Sequence, residues 1–147
     1  KIKNIMNYHE ALEKIWNKCP FCEIKEEIKI YDYASAYMTI AMAPYWPDHL
    51  LVIPKRCVES IFDLTIEEDD EIQWLVRAWM KMLRKLWYTD LSVLVREWMA
   101  SWKSIHHLHY HVIPNIKIWS NSSWWDREFL TEEEWKKVIE KLNTVKM

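Results

Sequence analysis

At 147 residues, half of them hydrophobic, the chain is long enough to bury one sizeable core and too short to suggest two. Its 20 basic and 22 acidic side chains nearly cancel, leaving a net charge of −2, which excludes the broad cationic surface that nucleic acid or an anionic membrane would need. No run approaches the roughly 18 apolar residues of a membrane span and the opening stretch lacks a signal-peptide core, so a soluble cytoplasmic protein is expected, with Lys1 in place of Met suggesting trimming or a fragment.

In chain order, residues 7–17 read as a short helix with Tyr8, Leu12 and Ile15 on one side, and Pro20 forces a turn after it. Cys19 and Cys22 therefore sit on a loop. Three cysteines cannot all pair within one chain, so the two-residue gap points to metal or redox chemistry, with plain buried thiols as the alternative. A thioredoxin-type pair would open a helix after a strand, whereas this one follows a helix. Residues 28–33, 37–42 and 50–53 are short, rich in aromatic and β-branched side chains, and separated by turn-forming residues, which predicts antiparallel strands.

A helix begins at Thr65, where Glu68 three positions on completes a capping box and Asp69, Asp70 and Glu71 suit the positive end of the dipole. Ile72, Leu75, Val76, Trp79, Leu83 and Leu86 then recur at helical intervals and form a core stripe. Residues 91–95 and 105–113 read as further strands, the second ended by Pro114. A second capping box, Thr131 with Glu134, starts a closing helix carrying Trp135, Val138, Ile139 and Leu142 inward. The whole predicts one α+β domain over 1–147, with no repeat or low-complexity linker.

The chain contains no Gly, where ordinary usage near 7% would give about ten, and it contains 11 Trp. Several Trp fall where a turn favours positive φ: Trp87 just after an expected helix end, Trp98 and Trp102 before the histidine-rich segment, and Trp124 and Trp125 after Asn121-Ser122-Ser123. Most of these are expected to stand for Gly, as would follow from a reassigned UGA codon read as Trp, although ordinary Gly codons should then leave some Gly behind.

The run His107-Leu108-His109-Tyr110-His111-Val112-Ile113-Pro114 carries the chemistry. On a strand, His107, His109 and His111 project to one face while His106, Leu108, Tyr110 and Val112 face the other. A row of imidazoles suits metal binding, or attack on and protonation of a phosphate, because imidazole is both nucleophile and acid near neutral pH.

With this run, the chain resembles the histidine-triad (HIT) family, whose signature is His-x-His-x-His among apolar residues. His49-Leu50-Leu51-Val52-Ile53-Pro54-Lys55-Arg56 is similar to the family's upstream segment, usually Pro-Gly-His, an apolar strand and Pro-Lys, and the Cys19 and Cys22 pair is similar to one in many bacterial, zinc-binding members. Order and separation agree over about 19–114, leaving 115–147 as a C-terminal extension with a helix. The resemblance implies a HIT-like fold: an antiparallel sheet, one long central helix and short terminal helices.

The resemblance also implies roles. His109 would attack the α-phosphorus of a nucleotide and become transiently nucleotidylated, His111 would contact the same phosphate and help manage the leaving group, and His49 would join the triad's hydrogen-bond network. Ser104 falls where the family has a phosphate-touching hydroxyl. Lys103 replaces a common Gln and Arg96 a common Asn, each a candidate phosphate contact. Asp48 stands where Gly usually precedes the upstream His, and is expected to face solvent. A structural zinc would be held by Cys19, Cys22, His107 and Cys57, the last in place of the family's usual His. The implied activity is nucleotidyl hydrolysis or transfer on a nucleoside phosphoramidate or dinucleoside polyphosphate, with a purine nucleotide substrate, no catalytic cofactor and a homodimer. A nucleotide-binding or partner-binding module with little turnover is the alternative, and a zinc-stabilised interaction domain a third reading.

Overall fold

The computed structural model describes residue 10 and residues 18–97, 105–115 and 127–146. The helix expected over 7–17 lies almost wholly outside these. Five strands, β1 (Lys29–Asp32), β2 (Ala36–Ile40), β3 (Leu50–Pro54), β4 (Leu91–Val95) and β5 (Tyr110–Pro114), form one antiparallel sheet in the order β1-β2-β3-β5-β4. The chain leaves β3 through the long helix α1 (Ile66–Lys85), and β5 returns to fill the place between β3 and β4. A shorter helix, α2 (Glu132–Asn143), follows. This is the α+β architecture that the spacing predicts.

Both helices start at capping boxes. The Thr65 and Thr131 side chains accept from the backbone N–H groups of Glu68 and Glu134, whose carboxylates accept in return from the threonine N–H groups. The strand pleat then divides the sheet. Met38, Ile40, Leu50, Val52, Tyr110 and Val112 join Ile72, Leu75, Trp79 and Leu83 of α1 and Leu142 of α2 in the main core. Tyr37, Leu51 and Ile53 point the other way, into a smaller cluster with Phe21. His111 pairs with Leu51 across β3 and β5, so its side chain belongs to this second face, away from the helices.

One strand is shorter than the 105–113 expected. Pairing of β5 with β3 runs from Leu50 opposite Val112 to Val52 opposite Tyr110, and below that the chain leaves the ladder. The Leu108 N–H donates instead to the Val58 carbonyl at 2.7 Å, which turns His107 toward the cysteine loop. Among the described residues, no helix is long and apolar enough to cross a membrane.

The C-terminus of α1 bears on the tryptophan question. Trp87 has φ 69°, its N–H donates to the Arg84 carbonyl, and the Tyr88 N–H donates to that of Leu83. This is a Schellman motif with Trp in the left-handed position that Gly usually occupies. The indole is 91% exposed, so it gains almost nothing from burial to offset its Cβ strain. Trp98, Trp102, Trp124 and Trp125 lie outside the described residues. Trp87→Gly is expected to raise stability by about 1 kcal/mol in urea unfolding at unchanged m-value, while Trp87→Ala, which keeps the Cβ, should change it by less than about 0.5 kcal/mol.

Candidate functional site

Three of the predicted histidines meet on the sheet face opposite α1 and α2. His49, the residue before β3, and His111, on β5, place Nε2 and Nδ1 3.0 Å apart. The Tyr45 backbone N–H donates to His49 Nδ1 at 3.2 Å. A backbone N–H can only donate, so His49 carries its proton on Nε2 and donates it to His111 Nδ1, which leaves the His111 proton on Nε2. That Nε2 is buried and has no hydrogen-bond partner among the described residues. The Tyr45 ring stacks on His49 at 5.3 Å and also touches His111.

His109 is fixed in the opposite sense. Its Nδ1 lies 2.7 Å from the His107 carbonyl, which can only accept, so Nδ1 carries the proton and Nε2 keeps its lone pair. The His109 and His111 rings meet edge-on with centroids 4.7 Å apart. Neighbouring rings therefore carry a lone-pair nitrogen and an N–H donor, the two functions that attack on a phosphorus beside a hydrogen-bonded oxygen requires.

His107 belongs to a second cluster. Its Nε2–H donates to the Pro54 carbonyl at 2.7 Å, which turns the Nδ1 lone pair toward Cys19 and Cys22, 3.2 and 3.5 Å from their sulfurs. With Cys57, the four donor atoms all lie within 4.8 Å of one another. A tetrahedral zinc with ordinary bond lengths needs sulfur-to-nitrogen edges of about 3.6 Å, and an outer carbonyl on the histidine is the usual device that orients such a ligand. The set fits zinc. Although Cys22 is exposed as a residue, burial of its thiol, reinforced by the hydrogen bonds and charges of Cys19 and Cys57, pushes it up to about 12. Three thiolates so close together need a cation among them.

Local structure explains how Cys57 arrives. The neighbouring Arg56 grips the buried Glu68 carboxylate with Nε and Nη2 at 2.9 and 2.8 Å, and Val58 holds Leu108. The loop is pinned on both sides of the cysteine. Between the two clusters stands Phe21, whose ring edges against both His107 and His109 and whose carbonyl accepts from the Tyr37 hydroxyl at 2.7 Å.

The expectation for Asp48 is overturned. It is buried, not solvent-facing: with φ 66° the chain turns the carboxylate inward, where Oδ2 accepts from the Tyr88 hydroxyl at 2.6 Å and from Lys141 Nζ of α2 at 2.5 Å. The Lys141 charge offsets the desolvation that would otherwise keep a carboxylate out. Arg96 follows β4 with its guanidinium 6.0 Å from the Tyr45 ring centroid, consistent with a place at the rim of the triad. Lys103 and Ser104 lie outside the described residues. Sequence reasoning missed Tyr45 and Arg127. Arg127 lies 3.9 Å over the Tyr45 ring and donates from Nη1 to the Ala43 carbonyl at 3.0 Å, yet it sits in no motif and meets these residues only through space, far from them along the chain. Tyr45 four residues before His49 was the available hint.

Known proteins resemble this chain in sequence and in fold. The family model of the HIT domain matches residues 23–118. Over 79 residues the chain is 29% identical to the asymmetrical bis(5'-nucleosyl)-tetraphosphatase of Schizosaccharomyces pombe, covering 53% of this chain and 43% of that protein. Over 90 residues it is 27% identical to a bis(5'-adenosyl)-triphosphatase of Saccharomyces cerevisiae, covering 60% and 44%. The chain thus spans less than half the length of these relatives. A zinc-bound histidine triad family protein from Mycobacterium smegmatis shares the fold with a TM-score of 0.66 at 20% identity, over 87% of this chain and 95% of that one.

Burial, followed by the positive charge of Arg127, holds His49 well below the ordinary histidine value, and burial followed by repulsion from His109 does the same to His111. Both are neutral in the folded protein. Below about pH 6.5 the unfolded chain takes up protons that these folded histidines refuse, so their contribution is complete above that pH and is lost as pH falls beneath it. Comparing urea unfolding at pH 7.5 and 5.0 should show the native chain losing more stability than a His49→Gln/His111→Gln double variant, while equal losses would mean that these histidines are not held neutral by the fold.

Proposed function

The chain belongs to the HIT domain family, and on that premise we propose that it is a nucleotidyl hydrolase or transferase acting at the α-phosphate of a dinucleoside polyphosphate or nucleoside phosphoramidate, with a purine nucleotide as substrate. The observation that carries this reading is the pair of fixed tautomers, a lone pair on His109 Nε2 beside an N–H on His111 Nε2. His109 Nε2 attacks the α-phosphorus, forming a P–N bond as the bond to the bridging oxygen breaks. The bridging oxygen keeps the electron pair and leaves on an anionic polyphosphate, which His111 Nε2–H stabilises. The His107 carbonyl, accepting from Nδ1–H, supports the positive charge of the nucleotidylated imidazole. Water then displaces His109, its hydroxyl ending on the nucleotide and its proton in solvent. The names of the yeast relatives, a nucleosyl tetraphosphatase and an adenosyl triphosphatase, support phosphoanhydride cleavage.

Zinc held by Cys19, Cys22, Cys57 and His107 is the second part of the reading, supported by the donor set and by the zinc-bound relative. The ion would stabilise the fold around His107 and supply no chemistry at phosphorus. A homodimer through α1 and the edge strand β4 is the third, supported by the half-exposed Val93 on that edge.

Incubation with diadenosine triphosphate or adenosine 5′-phosphoramidate should release AMP, and His109→Ala should lower the rate by about a thousandfold or more. Saturable binding without turnover in the native chain would instead indicate a nucleotide-binding module. Protein purified without chelator should carry about one zinc per chain by elemental analysis, and Cys57→Ala less than about half.

A further inference from the structure

Arg127 lies outside the segment that the family model matches, in the part of the chain leading to α2, yet it is tied to the centre of the triad. Its guanidinium is held twice, by the Ala43 carbonyl and by the face of Tyr45. Tyr45 in turn stacks on His49, touches His111, and supplies the backbone N–H that sets the tautomers of both. Arg96 approaches the same ring from β4. Two guanidinium groups from distant parts of the chain therefore converge on one aromatic ring beside neutral imidazoles, and the charge of each depresses His49 and His111.

A histidine-based nucleophile and a neutral N–H donor provide for the α-phosphate, and neither demands a cation one ring further out. Polyphosphate does. When the bond to the α-phosphorus breaks, a dinucleoside polyphosphate releases an anion whose charge is spread over the phosphates beyond α, whereas a phosphoramidate, protonated on its nitrogen before the P–N bond breaks, releases a neutral amine. Resting on the hydrolase reading above, we infer that Arg127 binds the phosphates beyond the α-position, and so selects substrates with an anionic polyphosphate leaving group over those with a neutral one. A planar guanidinium can pair two N–H donors with phosphate oxygens, and the Tyr45 face and Ala43 carbonyl orient this one before substrate arrives.

The test compares Arg127→Gln with the native chain on diadenosine triphosphate and on adenosine 5′-phosphoramidate. kcat/KM for the triphosphate should fall about tenfold or more, as loss of charge-assisted hydrogen bonds to phosphate predicts, and that for the phosphoramidate should stay within about threefold. Equal losses on both would mean that Arg127 only props Tyr45 and the histidines, and no loss on either would mean that it does not meet the phosphates; each result overturns the inference. Titration calorimetry on the His109→Ala background gives an independent readout. There, Arg127→Gln should weaken diadenosine triphosphate about tenfold and leave AMP within about twofold, while equal weakening or none overturns the inference. Absence of turnover by the native chain defeats the hydrolase reading but leaves this binding comparison decisive. If Arg127→Gln fails to fold, Arg127→Lys, which keeps the charge but not the bidentate geometry, should show the same selective loss in smaller measure.

Discussion

An imidazole has two nitrogens, and whichever one the backbone claims decides what the other can do. Three main-chain groups make that decision here. The His107 carbonyl takes the proton side of His109, the Pro54 carbonyl takes that of His107, and the Tyr45 N–H takes the lone pair of His49 and, through it, orders His111. Three histidines of identical chemistry, spaced two apart, thereby become a lone-pair nitrogen on His109, a lone-pair nitrogen on His107 that faces Cys19 and Cys22, and an N–H donor on His111. Burial of His49 and His111 keeps both neutral, so the arrangement does not depend on protonation near neutral pH.

The sheet makes this division possible. Alternation along β5 sends Tyr110 and Val112 into the core under the helices and leaves His111 on the opposite face with Leu51 and Ile53. Where the ladder ends below Tyr110, the chain is free to turn His107 to the cysteine loop. Arg56, clamped on the capping carboxylate of α1, brings Cys57 to meet it. Phe21, inside the cysteine turn, packs on both His107 and His109, so the cysteine–histidine cluster and the His49, His109 and His111 group share a wall.

Two positions show what happens when a residue other than Gly occupies a left-handed turn. At Asp48 the side chain turns inward and recruits Tyr88 and Lys141, which ties α2 to the residue before His49 and gives the substitution a structural use. At Trp87 nothing comparable occurs: the ring is exposed, and the Schellman hydrogen bonds close around a residue whose Cβ works against them. The contrast matches the expectation that this Trp stands for Gly.

Much of the fold was legible in the sequence. Short aromatic and β-branched runs between turn residues marked strands, helical periodicity marked both helices among the described residues, and the two capping boxes fixed helix starts at Thr65 and Thr131, because these signals are local and encoded by neighbouring side chains. The His-x-His-x-His run and the cysteine spacing likewise pointed to phosphate and metal chemistry, and the division of His107 from His109 and His111 followed from the resemblance. Tautomers, the inward turn of Asp48, and the meeting of Arg96 with Arg127 over Tyr45 were not legible. Each depends on a carbonyl, an N–H or a ring delivered from a remote part of the chain, and hydrogen-bond direction and aromatic packing exist only once the tertiary structure has brought those groups together.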